Sequence, residues 1–564
     1  MVELVAQLVA QRLRVDPEPR AAARLRRGRT RGREPEREQR GRQQAGPKDP
    51  DDGANSHANP PVLASDPGRS KALPAASGFD PIGRRRVPGS WPAGTCFVPR
   101  TAPLGPMRVN DLFSLEVEDL ALGGKALARV DGRVVFADRG LPGDRIEARI
   151  TRVKRGWAEA RTLAVTAPAA QRVPARCPHV DVCGGCRMQE LPYERQLALK
   201  ERQVRETLVH LGGIAAPPVR PIVPAPEPFH YRNKMEFSFH PGEDGAPWLG
   251  LHHRGAFDRV FEVEACVLPS ALTLDIVALT RRVARARGWR AYHPSRHEGV
   301  VRFLTVRHLP LTGECGVHLV AARDEVPGLE AWARAVAALS PAVRSVTVLF
   351  NDSRANVAFG GAERVLHGPG TVRERLLGLE FEAGANAFLQ TNSRQAEALY
   401  AAALAAADLR GGESVLDLYC GAGTLTLLFA RACREAVGVE SVADAVTAAR
   451  DNAARNGIAN ARFVEGESRA VLRQWARGER DGAPRPDVVV VDPPRAGLHP
   501  RVVFRVAELA PRRVVYVSCN PATLARDLKD FAAHGWALEE VTPFDMFPHT
   551  PHIECVARLA RRAP

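Results

Sequence analysis

A cysteine set where an apolar strand gives way to a turn faces whatever lies beyond the sheet edge, and Cys519 is set in this way. VVYVS precedes it, Asn520 and Pro521 favour a turn, and Thr523 reads as the N-cap of a helix through LARDL. A helix N-terminus beside a thiol lowers its pKa and raises the thiolate fraction, the state a nucleophile needs. The alternative is a half-buried strand cysteine with no chemistry. Three upstream segments weigh against that alternative. VLDLYCGAGTLTLLFA, residues 415–430, reads as a buried strand, a glycine turn at Gly421 and Gly423, and a helix. Glycines at such a turn let backbone approach a ligand closely. The strand run ending in VGVE puts Glu440 about 20 residues on, where a carboxylate can take the two hydroxyls of a ribose. A further apolar run, VVVV, ends at Asp492 and is closed by Pro493 and Pro494. Strand ends along one edge of a parallel sheet make a single crevice.

A second constellation is CPHVDVCGGCRMQ, which brings Cys177, Cys183 and Cys186 into one short loop. Four thiolates are the usual complement of a cubane iron–sulfur cluster or a structural zinc, and spacing alone does not separate the two. Ten cysteines in 564 residues are too sparse for a disulfide scaffold, so clustered ones point to metal binding or catalysis in a reducing compartment. No apolar run reaches membrane-spanning length, and no hydrophobic stretch followed by a cleavage site opens the chain. A cytoplasmic monomer without membrane attachment is expected.

The elements that must position these residues fall into several units, since a prior of about 150 residues per domain gives three or four. Residues 1–106 are rich in Arg, Pro, Ala, Gly and Gln without apolar periodicity, and are expected to form a disordered arm. They hold 19 of the 79 Lys and Arg and 11 of the 64 Asp and Glu, more than half of the net charge of +15. A basic excess suits a polyanionic partner. The arm is either an RNA tether or the product of a start codon placed too early, since Met107 opens the patterned region. Residues 107–167 alternate like a small β-barrel, with Lys154, Arg155 and Trp157 in one hairpin. Residues 168–387 hold the cysteine loop, a helix over LPYERQLALKERQVRETLVHLGGI whose charged face is read as solvated, and a central α+β region. Residues 388–564 carry the glycine turn, Asp492 and Cys519.

The order of glycine loop, acidic strand end and Asp-Pro-Pro strand end resembles the S-adenosylmethionine-dependent methyltransferases, not the dinucleotide dehydrogenases. With SCNPATLARDL and MFPHTPHIECV added, residues 107–559 resemble the RNA uridine-C5 methyltransferase family, and within it the iron–sulfur 23S rRNA (uracil-C5)-methyltransferases. The resemblance implies a multidomain α/β chain: an OB-like TRAM barrel that binds RNA, a central iron–sulfur domain and a C-terminal Rossmann-like methyltransferase domain. It makes Cys519 the nucleophile at uridine C6 and Glu554 the base at C5. It assigns S-adenosylmethionine to Gln390, Tyr419, Gly421, Gly423, Thr424, Glu440 and Asp492, and a [4Fe-4S] cluster to Cys177, Cys183, Cys186 and the remote Cys266. It also puts Arg232, Asn233 and Lys234 near RNA backbone. Two departures touch the cofactor contacts: Thr424 stands where the family often has asparagine, and Tyr419 where phenylalanine is common. 23S rRNA is the favoured substrate and transfer RNA the alternative, because bacterial forms of the latter enzyme typically lack the barrel and the cysteine loop. A non-catalytic RNA-binding module on the same scaffold is the reading from another class.

Overall fold

The computed structural model describes residues 107–562 apart from residue 257, and the basic arm lies outside the described residues. Six strands between Leu112 and Ala167 form one sheet. Along Arg145–Val153, Ile146, Ala148 and Ile150 point inward while Arg145 and Arg149 stay exposed, the two-residue period of a half-buried strand. These join Phe113, Leu115, Val135 and Ala158 in a core, which Met188, Leu191 and Leu199 of the following segment help to close. Trp157 packs its edge on Phe136 with ring centroids 6.1 Å apart.

A second sheet of seven strands is centred on Val301–His308, flanked by Cys315–Ala321 and Lys234–Pro241. Its middle strands read as continuous apolar runs because both faces are covered: Leu304 and Val306 lie in the core beneath helices Ala271–Ala286 and Leu329–Ala337, while Phe303 and Val320 lie in a separate cluster with Ala385.

The third sheet positions the chemistry. Its strands are β1 (Ser414–Leu418), β2 (Glu435–Glu440), β3 (Ala461–Glu465), β4 (Val488–Val491), β5 (Arg513–Ser518), β6 (Trp536–Phe544) and β7 (Glu554–Arg561), in the order β3-β2-β1-β4-β5-β7-β6. The first five pair in parallel, and β7 runs antiparallel to both β5 and β6. The order reverses between β1 and β4, so their carboxyl ends flank the crevice where open α/β sheets bind ligands. All five residues of β1 and all four of β4 are buried.

Helix Tyr193–His210 joins two of these units. Leu199 lies in the barrel core, while Val204 and Leu208 lie in the core of the third sheet with Trp536 and Val541. Its charged face is solvated as expected at Glu194, Arg195, Arg202, Arg205 and Glu206, but Lys200 departs from it: Lys200 and Gln196 are fully buried and Gln203 nearly so. Helical periodicity marks an apolar face, but it does not show that a polar residue on the opposite face meets a second body. The hairpin Val372–Leu376 and Leu379–Ala383 also crosses an expected division, since Leu376, Leu379 and Phe381 share the core of Leu399 and Phe429.

Candidate active site

The β1 turn packs three left-handed residues into five, with φ of 68° at Tyr419, 54° at Gly421 and 82° at Gly423. The two glycines do different work. A Cβ at Gly423 would lie 3.0 Å from Ala449 and from the Phe463 ring, so its bare backbone lets helix Thr424–Ala430 pack against the sheet. A Cβ at Gly421 would meet nothing within 4 Å, so this peptide faces open space. Glu440, at the end of β2, accepts from the Gly421 N–H at 3.0 Å through one oxygen and from the Ser441 and Val442 N–H groups at 2.7 and 2.9 Å through the other. These bonds hold the carboxylate at the rim of the turn. Thr424 is the first residue of the helix and is half-buried, as is Tyr419.

Asp417 was not singled out in the sequence, where it reads as one polar residue inside an apolar strand. It is fully buried, accepts from Thr426 Oγ1 at 2.6 Å through Oδ2, and leaves Oδ1 without a partner. Burial, with Asp492 and Glu440 nearby, pushes its carboxyl up to about 7. Asp492, just past β4, is likewise pushed up to about 7 by burial.

The segment after Cys519 explains its own sequence. Asn520, not Thr523, caps helix Pro521–Ala533, its Oδ1 accepting from the Ala522 N–H at 3.1 Å. Thr523 is instead turned toward the Asp-Pro-Pro loop: its hydroxyl donates to Arg495 O at 3.3 Å, Asn520 Nδ2 donates to the same oxygen at 3.1 Å, and Arg526 Nη2 donates to Ala496 O at 2.9 Å. Asp527 completes the stitching by accepting from the Leu498 N–H and the Tyr516 hydroxyl, both at 2.7 Å. NPATLARD and DPPRAGL are therefore two halves of one rigid corner.

Cys519 is half-buried at that corner. The expectation of a lowered thiol pKa is corrected: burial, together with the charges of Glu554 and Asp492, pushes it up to about 11, against which Arg495 pulls down. The helix N-terminus is present, but the acids that oppose it come from β4 and β7 and are invisible in local sequence. Glu554 is the first residue of β7 and only 4% exposed; burial and Asp492 push it up to about 8, and Arg495 opposes this. Cys420, on the glycine turn, is buried, and burial with the charges of Asp417 and Glu440 pushes its thiol well above the ordinary range.

Gln390 sits in the segment leading into helix Ser393–Ala407, half-buried, with exposed Phe388 two residues earlier. The segment is pinned from the second sheet: Asn233 Nδ2 donates to Gln390 O at 2.9 Å and the Asn233 N–H donates to Thr391 O at 2.8 Å. Buried Arg307 donates to Ala387 O at 2.5 Å. Asn233 is thus an internal tie and not an RNA contact, and Lys234 pairs with Glu236 at 2.8 Å.

Cys186 and Cys266 share a buried cluster with Tyr231, Leu268 and Phe547. Burial pushes the Cys186 and Cys266 thiols up to about 11 and about 12; Cys186 also feels the charges of Cys183 and Cys177, and Cys266 those of Cys186, Cys177 and Cys183. Four mutually influencing thiols are the donor chemistry of a thiolate-bound cluster. Among the described residues, however, no group of three or more His, Cys, Asp or Glu is drawn close enough to hold a metal ion. No helix among them is long and apolar enough to cross a membrane.

A doubly wound sheet with a glycine turn, a carboxylate braced at its rim and a cysteine near a buried acid fits the class of nucleotide-cofactor methyltransferases, and the comparisons bear on which one. Residues 370–562 match the family model described as tRNA (uracil-5-)-methyltransferase, and residues 108–163 match the TRAM domain. An uncharacterized RNA methyltransferase of Nitratidesulfovibrio vulgaris is 43% identical over 454 residues, covering 80% of this chain and 96% of the relative. One from Bacillus cereus is 36% identical over 454 residues, covering 80% and 98%. The crystal structure of Pyrococcus abyssi tRNA (uracil-54, C5)-methyltransferase in complex with S-adenosyl-L-homocysteine superposes with a TM-score of 0.64 at 28% identity, covering 79% of this chain and 99% of that one. The chain belongs to the RNA uridine-C5 methyltransferase family and carries a TRAM domain.

Proposed function

We propose that this enzyme methylates C5 of a uridine in 23S rRNA with S-adenosylmethionine, through a covalent bond between Cys519 and C6. The observation that carries the reading is the closeness of Cys519, one residue past β5, to Glu554, the first residue of β7: Ser518 and Cys555 are paired, and the Glu554 charge raises the Cys519 thiol. C5 of uracil is too weak a nucleophile to be methylated unaided. The half-buried Cys519 first loses its proton to solvent, and as its thiolate Sγ adds to C6 the C5=C6 electron pair moves onto C5 and the O4 carbonyl. S-adenosylmethionine supplies the electrophilic methyl group. Glu554 then takes the C5 proton, the electron pair restores C5=C6, and the C6–S bond breaks to return the thiolate. The uridine must leave its stack to enter the crevice.

Cofactor contacts are assigned to Gln390, Tyr419, Gly421, Gly423, Thr424, Glu440 and Asp492. The open peptide at Gly421 and the braced Glu440 carboxylate support the ribose end, and Asp492 supports the cationic sulfur. Cys177, Cys183, Cys186 and Cys266 would hold a [4Fe-4S] cluster, a reading supported by their donor chemistry and mutual influence. Transfer RNA is the second reading, favoured by the archaeal structure. Mass-spectrometric mapping of 23S rRNA and tRNA from a deletion strain separates the two: loss of one 23S 5-methyluridine supports the proposal, and loss confined to tRNA overturns it.

A further inference from the structure

The loop from Asp545 to Ile553 joins β6 to β7 and delivers Glu554 into the crevice, and its backbone is held at almost every step by groups outside the third sheet. Lys200 Nζ lies 2.5 Å from Asp545 Oδ1 and donates to Phe547 O at 3.2 Å, and both side chains of this ion pair are fully buried. One turn earlier on the same helix face, Gln196 Oε1 accepts from the His549 N–H at 3.0 Å. The Arg187 and Met188 N–H groups, just after Cys186, donate to His549 O at 2.9 and 3.1 Å. Tyr231 donates its hydroxyl to Pro548 O at 3.1 Å, and the His549 ring stacks on Phe229 with centroids 4.3 Å apart. His549 itself has a φ of 67°, a conformation a non-glycine residue keeps only where its surroundings dictate it.

We propose that Lys200 is a positioning residue for the methyl-transfer reaction: paired with Asp545, it fixes the loop that presents Glu554 opposite Cys519. A buried lysine is a costly way to gain stability, because an apolar residue of similar volume does as well or better. What a lysine adds is direction. Its three donors can serve a carboxylate and a carbonyl two residues apart, setting the path of the loop at its start. The proposal deepens the reading of Glu554 as the base and rests on it.

The test compares Lys200→Met with Glu554→Gln in the full chain, by thermal melting, S-adenosylhomocysteine affinity, kcat and KM for methyl incorporation, and decay of the protein–RNA adduct. Misplacement of a catalytic group by about an ångström costs on the order of 100-fold in rate, so folded Lys200→Met should lose about 10- to 100-fold in kcat and adduct decay. Its KM for RNA should fall together with kcat, leaving kcat/KM and cofactor affinity within about twofold, because the slowed step follows methyl transfer and the cofactor crevice is undisturbed. Should Lys200→Met fail to fold, Lys200→Met with Asp545→Leu replaces the pair by apolar groups and is read in the same way. A folded variant of either kind with wild-type kcat and adduct decay overturns the proposal. Normal adduct decay in Glu554→Gln beside slow decay in Lys200→Met would overturn the base assignment alone, leaving Lys200 as the support of a loop whose acting group lies elsewhere.

Discussion

Cys519 directly follows the last paired residue of β5 and Glu554 opens β7: Ser518 pairs with Cys555, and the thiol one step beyond on β5 is close enough to the carboxyl that opens β7 to feel its charge. Each charge also opposes the other, since ionised Glu554 pushes the Cys519 thiol up and Asp492 adds to both effects. The site therefore resists holding a thiolate and two carboxylates at once. A cationic sulfonium would relieve that conflict, which ties attack on the base to the presence of the cofactor.

The pH dependence of adduct decay should report this acid. Glu554 must be ionised to accept the C5 proton, and its carboxyl is pushed up to about 8 by burial and Asp492. Below that value decay of the methylated adduct should slow by roughly tenfold per pH unit, because proton removal follows methyl transfer. A profile flat from pH 6 to 9 would remove Glu554 from the base role.

Stability should move in the opposite direction. Asp417 and Asp492 near 7 and Glu554 near 8 bind protons more tightly in the folded chain than carboxyls do in an unfolded one. Their contribution is complete below the ordinary carboxylate range and is lost as pH rises through about 7 to 8. The cofactor-free protein should thus melt at progressively lower temperature from pH 5 to 9, and Asp417→Asn should flatten the trend. At pH 9 sinefungin, which carries an amine in place of the reacting centre, should raise the melting temperature more than neutral S-adenosylhomocysteine. Equal shifts would mean that the acids do not face the cofactor's charge.

The two glycines of the β1 turn should separate folding from binding. Gly423→Ala forces a Cβ to 3.0 Å from Ala449 and Phe463 at a φ of 82°, and should destabilise the fold by about 1–3 kcal/mol. Gly421→Ala meets no neighbour within 4 Å, and should melt closer to wild type while losing cofactor affinity. Thermal melts with calorimetric titration check both. Equal losses of stability would show that Gly421 serves packing as well.

Local sequence carried the parts of this site that local chemistry determines. Apolar runs ending in Asp492 and Cys519 became β4 and β5, and Gly421 and Gly423 took left-handed conformations. What it did not carry depends on bodies brought together from far apart. The helix N-terminus beside Cys519 was visible, but what outweighs it is burial first, and then acids that come from 27 residues upstream and 35 downstream. Thr523 looked like a cap because capping residues and loop-tying residues share the same hydroxyl; only contact with Arg495 O distinguishes them. Lys200 and Asn233 looked solvent-facing, since nothing nearby in sequence shows that Asp545 or Gln390 will cover them.

The cysteine site makes its own prediction. Protein purified without oxygen should contain about four irons per chain with matching sulfide, and Cys266→Ser should lose most of both. Stoichiometric zinc without sulfide would replace the cluster with a single ion, and a metal-free protein of full activity would remove the site from the account.

The most direct measurement is peptide mapping of a trapped intermediate. Glu554→Gln incubated with RNA and S-adenosylmethionine should give a slowly migrating protein–RNA band on a denaturing gel, absent with Cys519→Ala. Nuclease and protease digestion of that band should leave a 5-methyluridine nucleotide on the peptide containing Cys519. A nucleotide on another cysteine, or methylated RNA released by Cys519→Ala, would contradict the mechanism.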